Sequence, residues 1–164
     1  MKRSLLLLAT ALLLACAPAA VSAASLVDQP APALKFSDVA TGQAVNLAEL
    51  KGKVVVVDFW ATWCGPCRTE IPGYVELQKK YGPQGLVIIG VSLDQGGPSV
   101  VKKFAKDNQV NYTLVMGDDA AVDAFGGFNV ITTTFLIGRD GKIVHQKSGA
   151  MEHAEYEALV KQAL

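Results

Sequence analysis

The chain has 164 residues, 15 Lys+Arg against 15 Asp+Glu, 51% apolar and 18% charged side chains, and three cysteines. That length suits one domain, and the composition is globular. The charge balance excludes a strongly basic nucleic-acid surface and an acidic tail. Three cysteines are too few for a small disulfide-built scaffold.

Lys2 and Arg3 precede an apolar run from Leu5 to Ala15, broken only by Thr10. Pro18 and the small residues Ala19 to Ala24 follow. Charge, apolar core and small-residue region in this order predict a secretory signal peptide over residues 1–23, cut after Ala23. The run is shorter than the roughly 20 residues a membrane span needs. Leu13-Leu14-Ala15-Cys16 offers a second reading, a lipobox in which a lipid on Cys16 anchors an exported lipoprotein. Loss of residues 1–23 removes Lys2, Arg3 and Cys16, leaving 13 basic against 15 acidic side chains, a net charge of −2, and Cys64 and Cys67. Export to the periplasm, or otherwise out of the cytoplasm, puts this pair in an oxidising compartment.

Residues 24–33 read as an extended Pro- and Ala-rich lead-in, and residues 34–164 as one domain. Leu34-Lys35-Phe36 and Ala44-Val45 flank a Gly42 turn and predict a small hairpin. Leu47–Leu50 suits one helical turn closed by Gly52. The run Val54 to Trp60 suits a central strand covered on both faces. Pro66–Tyr81 has a helical pattern, with Ile71, Tyr74, Val75, Leu77 and Gln78 on one face and Gly82-Pro83 as its stop. Leu86–Leu93 is a second buried strand. Pro98–Asp107 is an amphipathic helix with Val100, Val101, Phe104 and Ala105 inward. Tyr112–Met116 is a short strand, and Asp118–Phe125 a short helix with Asp118 as N-cap. Thr132–Ile137 and Ile143–Gln146 are strands joined by Arg139-Asp140-Gly141-Lys142, and Glu152–Leu164 is a closing helix. The order predicts a three-layer α/β domain with a mixed central sheet flanked by helices and an N-terminal β-hairpin.

Chemistry is concentrated in Trp60-Ala61-Thr62-Trp63-Cys64-Gly65-Pro66-Cys67-Arg68, where a buried strand hands over to a helix. Cys64 falls at the helix N-terminus, where free backbone N–H groups and the positive dipole end favour a thiolate. Cys67, one turn on, is placed to attack a mixed disulfide formed at Cys64 and release the partner. Pro66 sits in the first turn, where its missing N–H is harmless, and stiffens the ring the two cysteines close. A zinc site would need two further ligands, and besides carboxylates only His145 and His153 remain. Neither has metal-ligand spacing, so no metal is expected, and both read as exposed or satisfied histidines. No Gly-rich phosphate loop follows a strand, and Gly96-Gly97 reads as the loop before the Pro98 helix, so neither nucleotide nor nucleic acid is expected.

The stretch from Asp58 to Cys67 resembles the active site of thioredoxins. Arg68-x-Glu70-x-Pro72, Gly90-Val91-Ser92-Leu93-Asp94 and Thr133-Thr134-Phe135-Leu136-Ile137 bring it closer to the exported TlpA/ResA-like branch, over about residues 30–164. The resemblance implies a thioredoxin-like fold and a thiol-disulfide oxidoreductase that needs no cofactor beyond the Cys64–Cys67 pair. It implies protein disulfide substrates, such as apocytochrome c or copper-site assembly proteins, and a membrane thiol electron donor. Residue by residue, Cys64 becomes the exposed nucleophile and Cys67 the more buried resolving thiol. Trp63 covers the site, Gly65-Pro66 is the dipeptide of reducing thioredoxins, and Asp58 is the buried carboxylate that relays a proton for Cys67. The position of Asp58 inside an apolar run supports burial, which raises a carboxyl pKa. Pro72 matches a helix-kinking proline, and Glu70 reads as a solvated helix residue.

One position departs from the pattern. Thr132 stands where the family places a cis-proline facing the cysteines. A cis bond before a non-proline residue costs about 2.5–4 kcal/mol, so a trans Ile131–Thr132 bond and altered substrate docking are expected. A hydroxyl there also stands within reach of a thiolate, a substrate or a soft metal. Alternative readings of the same pair are a copper-binding chaperone, a periplasmic disulfide oxidase and a thiol peroxidase. For the last, Arg68 is the adjacent cation, expected to point to solvent.

Overall fold

The computed structural model describes residues 25–164. The expected signal peptide over residues 1–23 and Cys16 lie outside the described residues. The lead-in is not a free arm. Asp28 N–H donates to Ile143 O, Ile143 N–H to Gln29 O, and Ala31 N–H to Gly141 O, so it runs beside the later hairpin. Strands β1 (Lys35–Ser37) and β2 (Ala44–Asn46) pair antiparallel. A short 3-10 turn, Leu47–Leu50, follows, capped by the Asn46 side chain on Ala48 N–H.

The main sheet holds β3 (Val54–Trp60), β4 (Leu86–Ser92), β5 (Thr113–Met116), β6 (Thr133–Ile137) and β7 (Ile143–Ser148). Its order is β5-β4-β3-β6-β7, with β3, β4 and β5 parallel and β6 and β7 antiparallel to their neighbours. Helix α1 (Gly65–Tyr81) links β3 to β4, and α2 (Pro98–Asp107) links β4 to β5. Helix α3 (Asp119–Ala124) starts where Asp118 accepts from Ala121 N–H at 2.8 Å. Helix α4 (His153–Ala163) closes the chain.

Every residue of β3 is buried, as a strand covered on both faces requires. Side chains alternate between faces, so β3 serves two cores. Val55, Val57 and Phe59 pack with Ile89, Val91, Phe135 and α3-side Phe125. Val54 and Val56 pack with Tyr74 and Leu77 of α1 and Tyr156 and Val160 of α4. Alternation then puts Asp58 on the α1/α4 face, two residues after Val56. Further along, Trp60 joins Cys64, Cys67, Ile71 and Val101 in a third cluster. Gly90 lies beside Asp58 in β4 and leaves room for Trp60: a Cβ there would meet Leu114 Cδ2 at 2.7 Å and Trp60 Nε1 at 2.9 Å. Val100, expected inward on α2, is 41% exposed, and Val101 alone on that helix is fully buried.

Candidate functional site

The chain leaves β3 through Ala61-Thr62-Trp63 and enters α1 at Cys64, the N-cap residue with extended backbone. Asp94 holds this turn. Its carboxylate accepts from Thr62 N–H at 2.9 Å, from the Thr62 hydroxyl at 2.6 Å and from the Ser92 hydroxyl at 2.8 Å. Asp94 was part of the family resemblance, but the sequence assigned it no role. The contact spans 32 residues, which no local pattern reveals.

Cys64 and Cys67 are joined as a disulfide. Cys67 N–H points at Cys64 Sγ, 3.3 Å away, so a donor of the helix N-terminus already faces the sulfur that would carry charge when reduced. Cys64 is 5% exposed and Cys67 1%, which corrects the expectation of an openly exposed Cys64. The oxidised pair is tucked against Val39, Trp60, Ala61 and Ile71, and Cys64 is only the less buried of the two. Gly65 and Pro66 both lie exposed at the start of α1. Trp63 immediately precedes Cys64 in the chain. It is 68% exposed on the turn out of the sheet, while Trp60 fills the interior beside the cysteines. Arg68 is exposed, its guanidinium over the Phe104 ring.

Asp58 is 3% exposed and faces Thr134 directly across the antiparallel β3–β6 pair. Its Oδ1 accepts from the Thr134 hydroxyl at 3.0 Å and the Thr132 hydroxyl at 2.8 Å. Burial pushes its pKa up to about 7 and the nearby Glu70 adds to the rise, against the two hydroxyl bonds. The Tyr74 hydroxyl continues the network to Thr134 at 3.3 Å. Tyr74, Tyr112 and Tyr156 are kept protonated by burial and by the Asp58 charge.

Glu70 is not a solvated helix residue. It is half-buried, its Oε1 accepts from Met151 N–H at 3.0 Å, and burial raises its pKa. The partner lies 81 residues away, on the turn before α4, so helical periodicity alone placed Glu70 in solvent. It lines a groove of about 540 Å³ with Tyr74, Met151, His153 and Tyr156.

The Ile131–Thr132 peptide is cis, which corrects the expected trans bond. That expectation weighed the intrinsic preference alone. The surroundings hold this segment: Thr132 is fully buried with its hydroxyl on Asp58, Gly149 N–H donates to Thr132 O, and the Thr133 hydroxyl donates to Val130 O. The Thr132 hydroxyl is thus committed to a carboxylate and not held free for a thiolate. Pro72 lies inside α1 and can give no N–H to the carbonyl of Arg68. His153 is partly exposed, 3.7 Å from Glu76, and His145 Nε2 is buried without a hydrogen-bond partner. Among the described residues no three His, Cys, Asp or Glu side chains are grouped to hold a metal ion, and no helix is long and apolar enough to cross a membrane.

Residues 27–146 match the AhpC/TSA family. The thiol-disulfide oxidoreductase ResA of Bacillus anthracis is 32% identical over 135 residues, which is 82% of this chain and 77% of that protein. ResA of Bacillus subtilis strain 168 is 36% identical over 124 residues, 73% of this chain and 68% of that protein. Among solved structures, a thioredoxin-family thiol:disulfide interchange protein from Chlorobium tepidum TLS superposes with a TM-score of 0.76 at 33% identity. It covers 85% of this chain and 99% of its own. A thiol:disulfide interchange protein from a Bacteroides species gives 0.72 at 26% identity, over 83% and 88%. With the thioredoxin-like sheet and the Cys64–Cys67 disulfide at the N-terminus of α1, the chain belongs to the AhpC/TSA family and is a thiol-disulfide oxidoreductase of the ResA type.

Proposed function

We propose that the protein is exported to the periplasm or an equivalent compartment. There it reduces disulfides of envelope proteins, such as those matured for cytochrome c or copper sites, and is recharged by a membrane thiol donor. The relatives named ResA and thiol:disulfide interchange protein support the chemistry. The leader pattern of residues 1–23 supports export, with the lipid anchor at Cys16 as its variant. Gly65-Pro66 between the cysteines supports the reducing direction. No cofactor besides the dithiol enters this reading.

The observation that carries it is the cysteine pair at the start of α1, with Cys67 N–H aimed at Cys64 Sγ. In the reduced protein the Cys64 thiolate attacks a substrate disulfide. One substrate sulfur leaves as thiolate and takes a proton from water. Cys67 gives its proton to Asp58, whose pKa of about 7 suits exchange near neutrality, and its thiolate attacks Cys64 Sγ. The second substrate sulfur leaves as thiolate and takes a proton from water. Two electrons pass to the substrate, and the protein ends as the disulfide seen here.

Two measurements test this. The reduction potential is expected near the thioredoxin value of about −270 mV, and one near the DsbA value of about −120 mV contradicts a reductant. N-terminal sequencing of the native protein is expected to begin at Ala24. A retained Lys2 contradicts export, and a lipid mass on Cys16 replaces soluble export with the anchor.

A further inference from the structure

Thr132 has one hydroxyl proton and two carboxylates to serve. It donates to Asp58 Oδ1 at 2.8 Å, and Glu70 is tied to the same turn that holds Thr132: Met151 N–H donates to Glu70 Oε1 and Gly149 N–H to Thr132 O. With that proton on Asp58, Glu70 Oε2 is buried and has no partner, while Oε1 is held by Met151 N–H. A buried acceptor without a donor is unfavourable, so a swing of the hydroxyl toward Glu70 has a waiting acceptor. The backbone on both sides is fixed. Gly149 N–H donates to Thr132 O, which keeps the turn bearing Met151 beside the Thr132 segment. A hydroxyl rotation therefore needs no chain movement. The two carboxylates differ in access: Asp58 is 3% exposed beneath the Thr132 and Thr134 hydroxyls, whereas Glu70 is half-buried and borders the groove toward α4.

We infer that the Thr132 hydroxyl relays protons between Asp58 and Glu70, so that the buried carboxylate is emptied into the groove through Glu70. This rests on the proposed role of Asp58 as acceptor of the Cys67 proton. Once Asp58 carries that proton, its carboxyl donates to Thr132 Oγ1 and the Thr132 hydroxyl turns to Glu70 Oε2. The Asp58 proton passes to Thr132 Oγ1 as the Thr132 proton passes to Glu70. One proton has left Asp58, one has reached Glu70, no electron has moved, and the hydroxyl again points at Asp58. A turn of the Glu70 carboxyl, whose residue lines the groove, then carries the proton from the buried Oε2 position to groove water. The other ionisable groups facing the pair are Tyr74 on α1, Tyr112 ahead of β5 and Tyr156 on α4, with His153 and Glu76 farther along the groove wall. Burial keeps the three phenols neutral, so the carboxylates are the exchanging groups. A proline at this position has no hydroxyl and cannot perform the relay.

The test is a single turnover of the fully reduced protein with 5,5′-dithiobis(2-nitrobenzoate). The first coloured thiolate reports the Cys64 attack and the second reports the Cys67 attack. Thr132→Val and Glu70→Gln are each expected to slow the second release about tenfold near pH 7 and to shift its pH profile, since a positioned acid–base group contributes at least that much. The first release stays within about twofold of wild type. Thr132→Ser restores the second release, and the double variant is no slower than the slower single, as one shared path requires. A second release at the wild-type rate and pH profile in Glu70→Gln overturns the relay, as do single effects that multiply in the double variant. If Thr132→Val does not fold, Glu70→Gln decides by the same outcomes. Asp58→Asn separates the two levels. If it leaves the second release unchanged, the Asp58 reading fails; if it slows that step while Glu70→Gln does not, only the relay fails.

Discussion

Thr132 donates its hydroxyl to Asp58 Oδ1 at 2.8 Å across 74 residues of chain. Thr134 adds a second hydroxyl on the same oxygen at 3.0 Å. Both bonds favour the charged carboxylate, yet burial outweighs them and the pKa rises from 3.8 to about 7. A carboxyl poised near neutrality can take and give up a proton at working pH, as the role proposed for Asp58 toward Cys67 requires.

The same balance predicts a pH-dependent stability. The folded state binds the Asp58 proton more tightly than the unfolded state, so this group destabilises the fold when ionised. The stabilisation from its bound proton is fully present below about pH 4 and is lost as pH rises through about 7. Asp58→Asn should therefore stabilise the oxidised protein by on the order of 3 kcal/mol at pH 8 and by little at pH 4. Urea unfolding at the two pH values checks this, and an equal effect at both contradicts it.

Gly90 is the neighbour of Asp58 that cannot grow. A methyl there lands 2.7 Å from Leu114 Cδ2 and 2.9 Å from Trp60 Nε1, both on buried side chains. Gly90→Ala should cost about 1–3 kcal/mol through overpacking. It should also move Trp60, which packs with both cysteines. Thermal unfolding and Trp fluorescence read the two effects, and a neutral Gly90→Ala would show that the cluster is looser than described.

Thiol reactivity should be asymmetric. In the reduced protein Cys64 keeps its place at the α1 N-terminus, facing Cys67 N–H, while Cys67 is the deeper of the two. Cys64 is expected to react with iodoacetamide at least about tenfold faster than Cys67 at pH 7, with an apparent pKa below the free value of about 8.5. Mass mapping of the alkylated peptides from pH 6 to 9 measures this. Equal labelling of both thiols contradicts the assignment.

Contiguity decided what could be read in advance. Cys64 to Cys67 form one short stretch at a strand-to-helix junction, so their placement follows from local pattern, as do the all-buried β3 and the 98–107 span of α2. Contacts between distant segments were not legible. Glu70 has the periodicity of a solvated helix position, and only the Met151 turn 81 residues later draws it inward. Asp94 ties down the turn before Cys64 through Thr62, 32 residues away. Thr132 was judged by the intrinsic preference of its peptide bond, whereas its carboxylate partner lies on β3. Val100 misled because one helical face was drawn too wide.

Exchange through Cys64, with Cys67 as the resolving thiol, can be caught by trapping the mixed disulfide. Reduced Cys67→Ser is mixed with a disulfide-bearing protein such as insulin, quenched in acid and run without reductant. A covalent adduct joined through Cys64 is expected, dissolved by dithiothreitol and absent with Cys64→Ser. No adduct with Cys67→Ser, or equal adducts from both variants, would contradict it.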